Sequence, residues 1–178
     1  SERLPGKPES HPVWRDAEAA RLCTERLLRI ARRAGKRIHV LHISTAEELP
    51  LLAAHRDHAT VEVTPHHLTL SADDYERLGT KLQMNPPVRE ARHREALWKA
   101  IASGLVDVLG SDHAPHTLEE KAGAKPPMGM PGLETMLPLL LDAVHQGKMR
   151  YEDIARLSCE GPAHVYNIAR KGKIARGF

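Results

Sequence analysis

The chain repeats one order of elements three times: a short buried strand, a polar loop and a helix. Apolar runs at 37–43, 60–64 and 105–109 are typical of buried strands, and helix-period segments follow each of them. Strands that alternate with helices predict parallel β/α units. Three strands cannot close an eight-stranded barrel, which takes about 250 residues. We therefore expect an α/β fold that forms the C-terminal portion of such a barrel.

These units account for most of the 178 residues. We assign residues 1–168 to the C-terminal β/α units and their trailing helices. We assign residues 169–178 to the start of a further strand that is cut short after Lys-Ile-Ala-Arg-Gly-Phe.

The first long helix has clear boundary signals. Asp16 is a typical N-cap and Gly35 a typical C-terminal stop, so the pattern predicts a helix to about residue 34. Another long helix is predicted near the C-terminal end of the chain, at about 133–146. Each carries an apolar stripe that predicts a core-facing side, formed by Ala19, Leu22, Cys23, Leu27 and Ile30 in the first, and by Leu133, Met136, Leu137, Leu140 and Val144 in the second.

Composition excludes several classes of protein. The content of 41% apolar and 28% charged residues is that of a globular chain, and aromatic residues make up only 3%, too few for nucleic-acid stacking platforms. The formal charge is only +3, and we interpret the basic clusters as solvated helix ends and loops, so we expect no nucleic-acid partner. No apolar run approaches the ~20 residues that span a bilayer, and no signal peptide is recognisable. Cys23 and Cys159 favour a reduced cytoplasmic protein with buried thiols.

Chemistry-bearing residues follow the predicted strands. Asp112 comes after the third strand and after Gly110 and Ser111, whose small size lets a ligand or metal approach. A carboxylate there could bind a metal, take a proton from water and return it to a leaving nitrogen; the alternative is a turn or capping aspartate. His42 ends the first strand and is either a zinc ligand or a core histidine. We expect His113 to support Asp112 rather than bind metal.

Other polar residues fit a small-molecule site, each with a structural alternative. Asn85 could form hydrogen bonds with the edge of a cyclic ureide, or it could merely begin an Asn-Pro turn. His116 could donate to a substrate carboxylate or carbonyl. Of His66 and His67, one could line the pocket or fix a loop. Arg89 is either a surface residue or an anion contact.

Five segments then occur in an informative order: His42-Ile-Ser-Thr, Thr64-Pro-His-His-Leu, Met84-Asn-Pro-Pro-Val-Arg89, Ser111-Asp-His-Ala-Pro-His-Thr-Leu-Glu-Glu-Lys121 and Gly129-Met-Pro-Gly-Leu-Glu-Thr135. In this order they resemble class I dihydroorotases of the cyclic amidohydrolase group. The resemblance extends from Leu4-Pro-Gly onward.

The resemblance implies a TIM-like (β/α)8 metal-dependent hydrolase barrel with one or two zinc ions. By match, His42 is the zinc-ligating histidine of the sixth strand, and Asp112 is the catalytic aspartate of the eighth, both zinc ligand and proton shuttle. The family's substrate contacts fall on Asn85, His116, Met128 and Gly129. The implied reaction is the reversible cyclisation of N-carbamoyl-L-aspartate to (S)-dihydroorotate in de novo pyrimidine biosynthesis.

By the same resemblance, the family's remaining zinc ligands would lie before residue 1. We expect them outside this chain, so we expect the chain alone to be inactive. Two alternatives stay open: a non-catalytic dihydroorotase-like scaffold for aspartate transcarbamoylase, and another cyclic amidohydrolase such as an allantoinase or hydantoinase. The expected partners are the small-molecule substrate and either a second copy or an aspartate transcarbamoylase.

Overall fold

The computed structural model describes residues 7–178 as an α/β fold with a small parallel sheet. The strands are β1 (Ile38–Val40), β2 (Ala59–Val63) and β3 (Val108–Leu109). The helices are α1 (His11–Trp14), α2 (Ala17–Ala34), α3 (Glu48–Ala53), α4 (Pro65–Thr69), α5 (Tyr75–Leu78), α6 (Ala91–Ala102), α7 (Leu118–Ala122), α8 (Leu133–His145), α9 (Tyr151–Ala155) and α10 (Gly161–Val165). Short 3₁₀ turns lie at Pro8–Ser10, Ala72–Asp74 and Gly79–Leu82, and a π-helical turn lies at Arg156–Glu160.

The three strands are parallel, in the order β1-β2-β3. Ile38 lies opposite Ala59, and Glu62 lies opposite Val108. β3 is shorter than the apolar run 105–109 predicts. The side chain of Asp107 accepts the Val61 N–H at 2.7 Å and so replaces part of the strand ladder. The predicted order of parallel β/α units is confirmed.

The main core lies between the outer face of the sheet and the helices. Its centre is fully buried and consists of Leu52, Val61, Val63, Leu97, Val106 and Leu157. A smaller cluster is formed by Tyr75 of α5 and by Leu82, Met84 and Val88 of the segment that follows α5. This second cluster supports the segment that contains Asn85.

The boundaries of α2 match the sequence prediction, but its buried face does not. Asp16 accepts the Ala19 N–H at 2.7 Å, and Gly35 ends the helix with a φ of 62°. The buried residues of α2 are Thr24, Leu28 and Ala31, whereas Leu22, Leu27 and Ile30 are roughly half exposed. The prediction of a core-facing stripe was wrong because α2 packs against α3 and β1 through the neighbouring face.

Part of the second stripe is exposed as well. In α8, Leu140 is buried, but Leu133 and Leu137 are more than half exposed.

Cys23 and Cys159 are free and exposed, so the expectation of buried thiols was also wrong. Residues 169–178 form turns, and a strand beginning there stays a prediction. Within residues 7–178, no helix is long and apolar enough to cross a bilayer.

Candidate active site

His42 and Asp112 lie in left-handed turns at the carboxyl edge of the sheet. His42 follows β1 with a φ of 40°, and Asp112 follows β3 with a φ of 43°. Few residues other than glycine adopt such angles, and backbone strain of this kind concentrates at functional sites. The two residues therefore occupy the positions where parallel α/β folds place their chemistry.

The donor chemistry of this pair fits a metal. Both side chains are half-buried, and neither forms a hydrogen bond or ion pair within residues 7–178. An imidazole and a carboxylate are both zinc donors, and catalytic zinc takes three protein ligands. Across that part of the chain, no group of three or more histidine, cysteine or acidic residues is arranged to hold a metal. The pair thus fits two positions of such a site.

Glu62 lies between the two turns, and sequence reasoning missed it. It sits in β2, where its carboxylate accepts the His42 N–H at 3.3 Å. The same carboxylate lies against Gly110, two residues before Asp112. The sequence contained a signal, because Glu62 is an acidic residue inside the apolar run 60–64. Burying a carboxylate costs free energy, so an acidic residue in a buried strand often has a specific function.

Two histidines tie the loop before α8 to the sheet edge. His113 Nδ1 accepts the N–H groups of Gly132 and Leu133, both at 3.2 Å, and so caps α8. His66 Nε2 donates to the Pro131 carbonyl at 3.0 Å, while its Nδ1 is buried without a hydrogen-bond partner among the described residues. His113 therefore shapes the loop near Asp112 through the main chain.

His67 supports the Asn85 loop from below. Its Nε2 donates to the Pro86 carbonyl at 3.1 Å, and its Nδ1 lies 2.8 Å from the Thr64 hydroxyl. Because a carbonyl can only accept, Nδ1 carries the lone pair and the hydroxyl donates to it. Burial lowers the pKa of His67 to about 3. Of the two adjacent histidines, His67 is thus the one that fixes a loop.

We expect His67 to make stability depend on pH. Its pKa is about 3 in the folded state, against about 6.5 in an unfolded chain. Between these values only the unfolded state binds the proton, so stability is lost as the pH falls. Urea unfolding of the full-length protein between about pH 6.5 and pH 5, above most carboxylate pKa values, should show this loss. His67→Gln should flatten the dependence, and an unchanged slope would contradict the assignment.

Three of the predicted substrate contacts lie together. His116 Nε2 donates to the Met128 carbonyl at 3.3 Å. A Cβ on Gly129 would lie 2.6 Å from the Ala114 Cβ, and the φ of 131° also demands glycine. The Gly129 N–H donates to the Gln83 carbonyl at 2.9 Å. That amide is therefore committed to the fold and is not free for a substrate.

Asn85 is held near this group by its own segment. The Gln83 carbonyl that accepts the Gly129 amide lies two residues before Asn85. Asn85 itself is exposed, and its side-chain amide forms no hydrogen bond within residues 7–178. That amide therefore has its donor and acceptor groups available to a ligand.

Lys121 is a second residue that sequence reasoning missed. Its ammonium group donates to the carbonyls of Gln83, Pro127 and Gly129, each at 2.9 Å. The residue is 5% exposed, and burial lowers the pKa of Lys121. All three N–H bonds are used, so the charge is solvated by backbone rather than by a carboxylate. Lys121 thus joins the Asn85 segment to the Met128–Gly129 loop.

Arg89 is buried and does not lie on the surface. Its Nε donates to the Ser44 hydroxyl at 3.2 Å, and its Nη1 donates to the Arg15 carbonyl at 2.9 Å. Burial lowers the pKa of Arg89. These contacts brace the turn after β1 against the start of α2.

Comparison with known proteins gives a consistent family. The amidohydrolase family matches residues 20–178. The chain is 46% identical over 167 residues to the dihydroorotase of Halobacterium salinarum, covering 93% of this chain and 39% of that protein. It is 45% identical over 150 residues to the dihydroorotase of Pyrococcus furiosus, covering 83% of this chain and 35% of that protein. The chain spans about two fifths of the length of these curated relatives.

Solved structures of cyclic amidohydrolases share the fold. L-hydantoinase (dihydropyrimidinase) from Arthrobacter aurescens is 34% identical, with a TM-score of 0.82 over 86% of this chain and 36% of that one. D-hydantoinase from Bacillus sp. AR9 is 29% identical, with a TM-score of 0.90 over 97% of this chain and 41% of that one. These neighbours have the TIM-barrel fold, so the three-stranded sheet is part of such a barrel. Proteins of this kind are generally metal-dependent. The chain therefore belongs to the amidohydrolase family.

Proposed function

We propose that the full-length protein containing this chain is a zinc-dependent dihydroorotase that reversibly cyclises N-carbamoyl-L-aspartate to (S)-dihydroorotate. The observation that carries the proposal is the pair of left-handed turns that present His42 and Asp112 at one edge of the sheet. The 46% identity to a dihydroorotase favours this substrate over other cyclic amides.

The metal would be held by His42, Asp112 and ligands from the rest of the protein, as one or two zinc ions. Bound there, zinc supplies Lewis acidity toward the ring carbonyl. In the hydrolytic direction, Asp112 takes a proton from the attacking water. It returns that proton to the ring nitrogen as the C–N bond breaks, so that one carboxylate acts as base and then as acid.

The remaining residues would orient the substrate. The free amide of Asn85 can both donate to and accept from a ureide edge. His116 and the Met128–Gly129 backbone form one wall of the site, and Lys121 keeps that wall beside Asn85. A preorganised wall limits the motion of the bound ring and so lowers the entropic cost of reaction.

The test is an activity assay on the full-length, zinc-loaded protein. We expect hydrolysis of dihydroorotate that is faster than hydrolysis of hydantoin, that is lost when a chelator removes zinc and that returns when zinc is restored. His42→Ala should lower both zinc content and turnover. Hydrolysis of hydantoin alone would favour the hydantoinase alternative, whose support is the TM-score of 0.90 to D-hydantoinase.

Turnover of neither compound by a zinc-loaded protein would favour the scaffold alternative. A homodimer, an association with aspartate transcarbamoylase and a cytoplasmic location are parts of this proposal that come from the resemblance. Sedimentation of the full-length protein, alone and with the transcarbamoylase, measures the first two.

A further inference from the structure

Glu62 is a buried carboxylate without a strong cationic partner. It is 8% exposed, and its neighbours Val61 and Val63 pack into the main core, so Glu62 projects from the opposite face of β2. Its ionisable contact is His39, whose Nε2 lies 3.5 Å from Oε2. No lysine or arginine in residues 7–178 pairs with it. Burial of such a charge is costly, which suggests that the position has a purpose beyond packing.

On one side, Glu62 holds the turn that carries His42. Its Oε1 accepts the His42 N–H at 3.3 Å, and its backbone carbonyl accepts the Ile43 N–H at 2.9 Å. The φ of 40° at His42 is uncommon for a residue other than glycine, and contacts with the surrounding chain help to hold it. These two hydrogen bonds are the restraints that Glu62 contributes.

On the other side, Glu62 lies against the segment that carries Asp112. A Cβ on Gly110 would lie 2.5 Å from the Glu62 carboxyl carbon, so the carboxyl group rests directly on the Gly110 backbone. The Gly110 N–H also donates to the Val63 carbonyl at 3.0 Å. The Glu62 carboxyl group therefore contacts the chain two residues before Asp112, where backbone pairing holds that chain against β2.

We propose that Glu62 is a positioning residue that fixes the spacing of the turns bearing His42 and Asp112 and thereby sets the affinity of the metal site. The inference rests on the proposed function, because it takes these two residues as ligands. Residues that orient metal ligands typically change metal affinity by about 10- to 100-fold when replaced. Glu62 would act through the backbone of both ligand-bearing turns.

The first test is a zinc competition titration of the full-length protein. Glu62→Ala should raise the zinc Kd by at least about tenfold. Glu62→Gln, which keeps an acceptor for the His42 N–H, should give a Kd between those of the wild type and Glu62→Ala. The matched control is Asp107→Asn. Asp107 accepts the Val61 N–H in the middle of β2 and pairs with Arg56, but it contacts neither His42 nor Asp112 through a hydrogen bond or ion pair among the described residues. This control should lower the melting temperature of the metal-free protein but leave the zinc Kd unchanged.

A second test probes the contact itself. Gly110→Ala should weaken zinc binding in the wild type, because the added methyl group displaces the carboxyl group. In the Glu62→Ala background the same change should have a smaller effect, since the obstructing group is gone. Equal effects in both backgrounds would overturn the inference.

The outcomes separate this inference from the proposed function. A wild-type Kd in Glu62→Ala, together with loss of zinc in His42→Ala, would reject the role of Glu62 alone. A wild-type Kd in His42→Ala, or a wild-type protein that binds no zinc, would reject the metal site and the inference with it. If Glu62→Ala does not fold, the zinc Kd values of Glu62→Gln and Gly110→Ala provide the test. A wild-type zinc Kd in both variants would overturn the proposal.

Discussion

Replacing Asp112 with asparagine should abolish the proposed dihydroorotase turnover of the full-length protein and leave its fold largely intact. The Asp112 side chain is half-buried and makes no hydrogen bond or ion pair within residues 7–178, so the substitution removes none from that part of the fold. Asparagine also tolerates the φ of 43° at this position. In the proposed mechanism the substitution affects the chemical step, because an amide can neither accept the proton from water nor return it to nitrogen.

The expected decrease in kcat is at least roughly 10³-fold, within the range that a positioned acid–base group contributes. Steady-state hydrolysis of dihydroorotate measures the loss, and urea unfolding checks that the free energy of unfolding changes little. Asp73→Asn, at an exposed aspartate, is the control and should keep wild-type turnover. Near-normal turnover of Asp112→Asn would remove Asp112 from the mechanism.

Lys121→Met should destabilise the fold and loosen the Met128–Gly129 loop. The substitution removes the ammonium donor from the carbonyls of Pro127 and Gly129, and it removes one of the two donors to the Gln83 carbonyl, which keeps the Gly129 N–H. Hydrogen bonds from a charged donor contribute more than neutral ones, and buried acceptors left unpaired add a further cost. We expect a loss of about 3 kcal/mol in the free energy of unfolding.

The loop itself gives a second readout. Amide hydrogen exchange across residues 123–131 should accelerate, and the KM for dihydroorotate should rise if the loop contacts the substrate. Lys125→Met is the matched control, because Lys125 is exposed in the same loop. It should change neither stability nor exchange. Unchanged stability in Lys121→Met would show that the three hydrogen bonds contribute little.

Local patterns in the sequence determined the order and boundaries of the main elements. The capping signals at Asp16 and Gly35 act within one helical turn, so the ends of α2 could be predicted and were confirmed. The motifs around His42 and Asp112 placed both residues after strands, and the structure has them there. Their chemical roles stay predictions.

The tertiary structure decided which faces and which charges are buried. The apolar stripe of α2 repeats with helical period, but period alone does not say which neighbour the stripe meets, and the structure turns Leu27 and Ile30 away from the core. Lys121 looks like a solvated helix-end residue until three distant carbonyls converge on its ammonium group. Glu62 likewise has a role only because parallel pairing puts β2 between the turns after β1 and β3. Helix caps and strand runs depend on neighbours in the sequence, whereas these contacts join residues that are remote along the chain and meet only in the folded state.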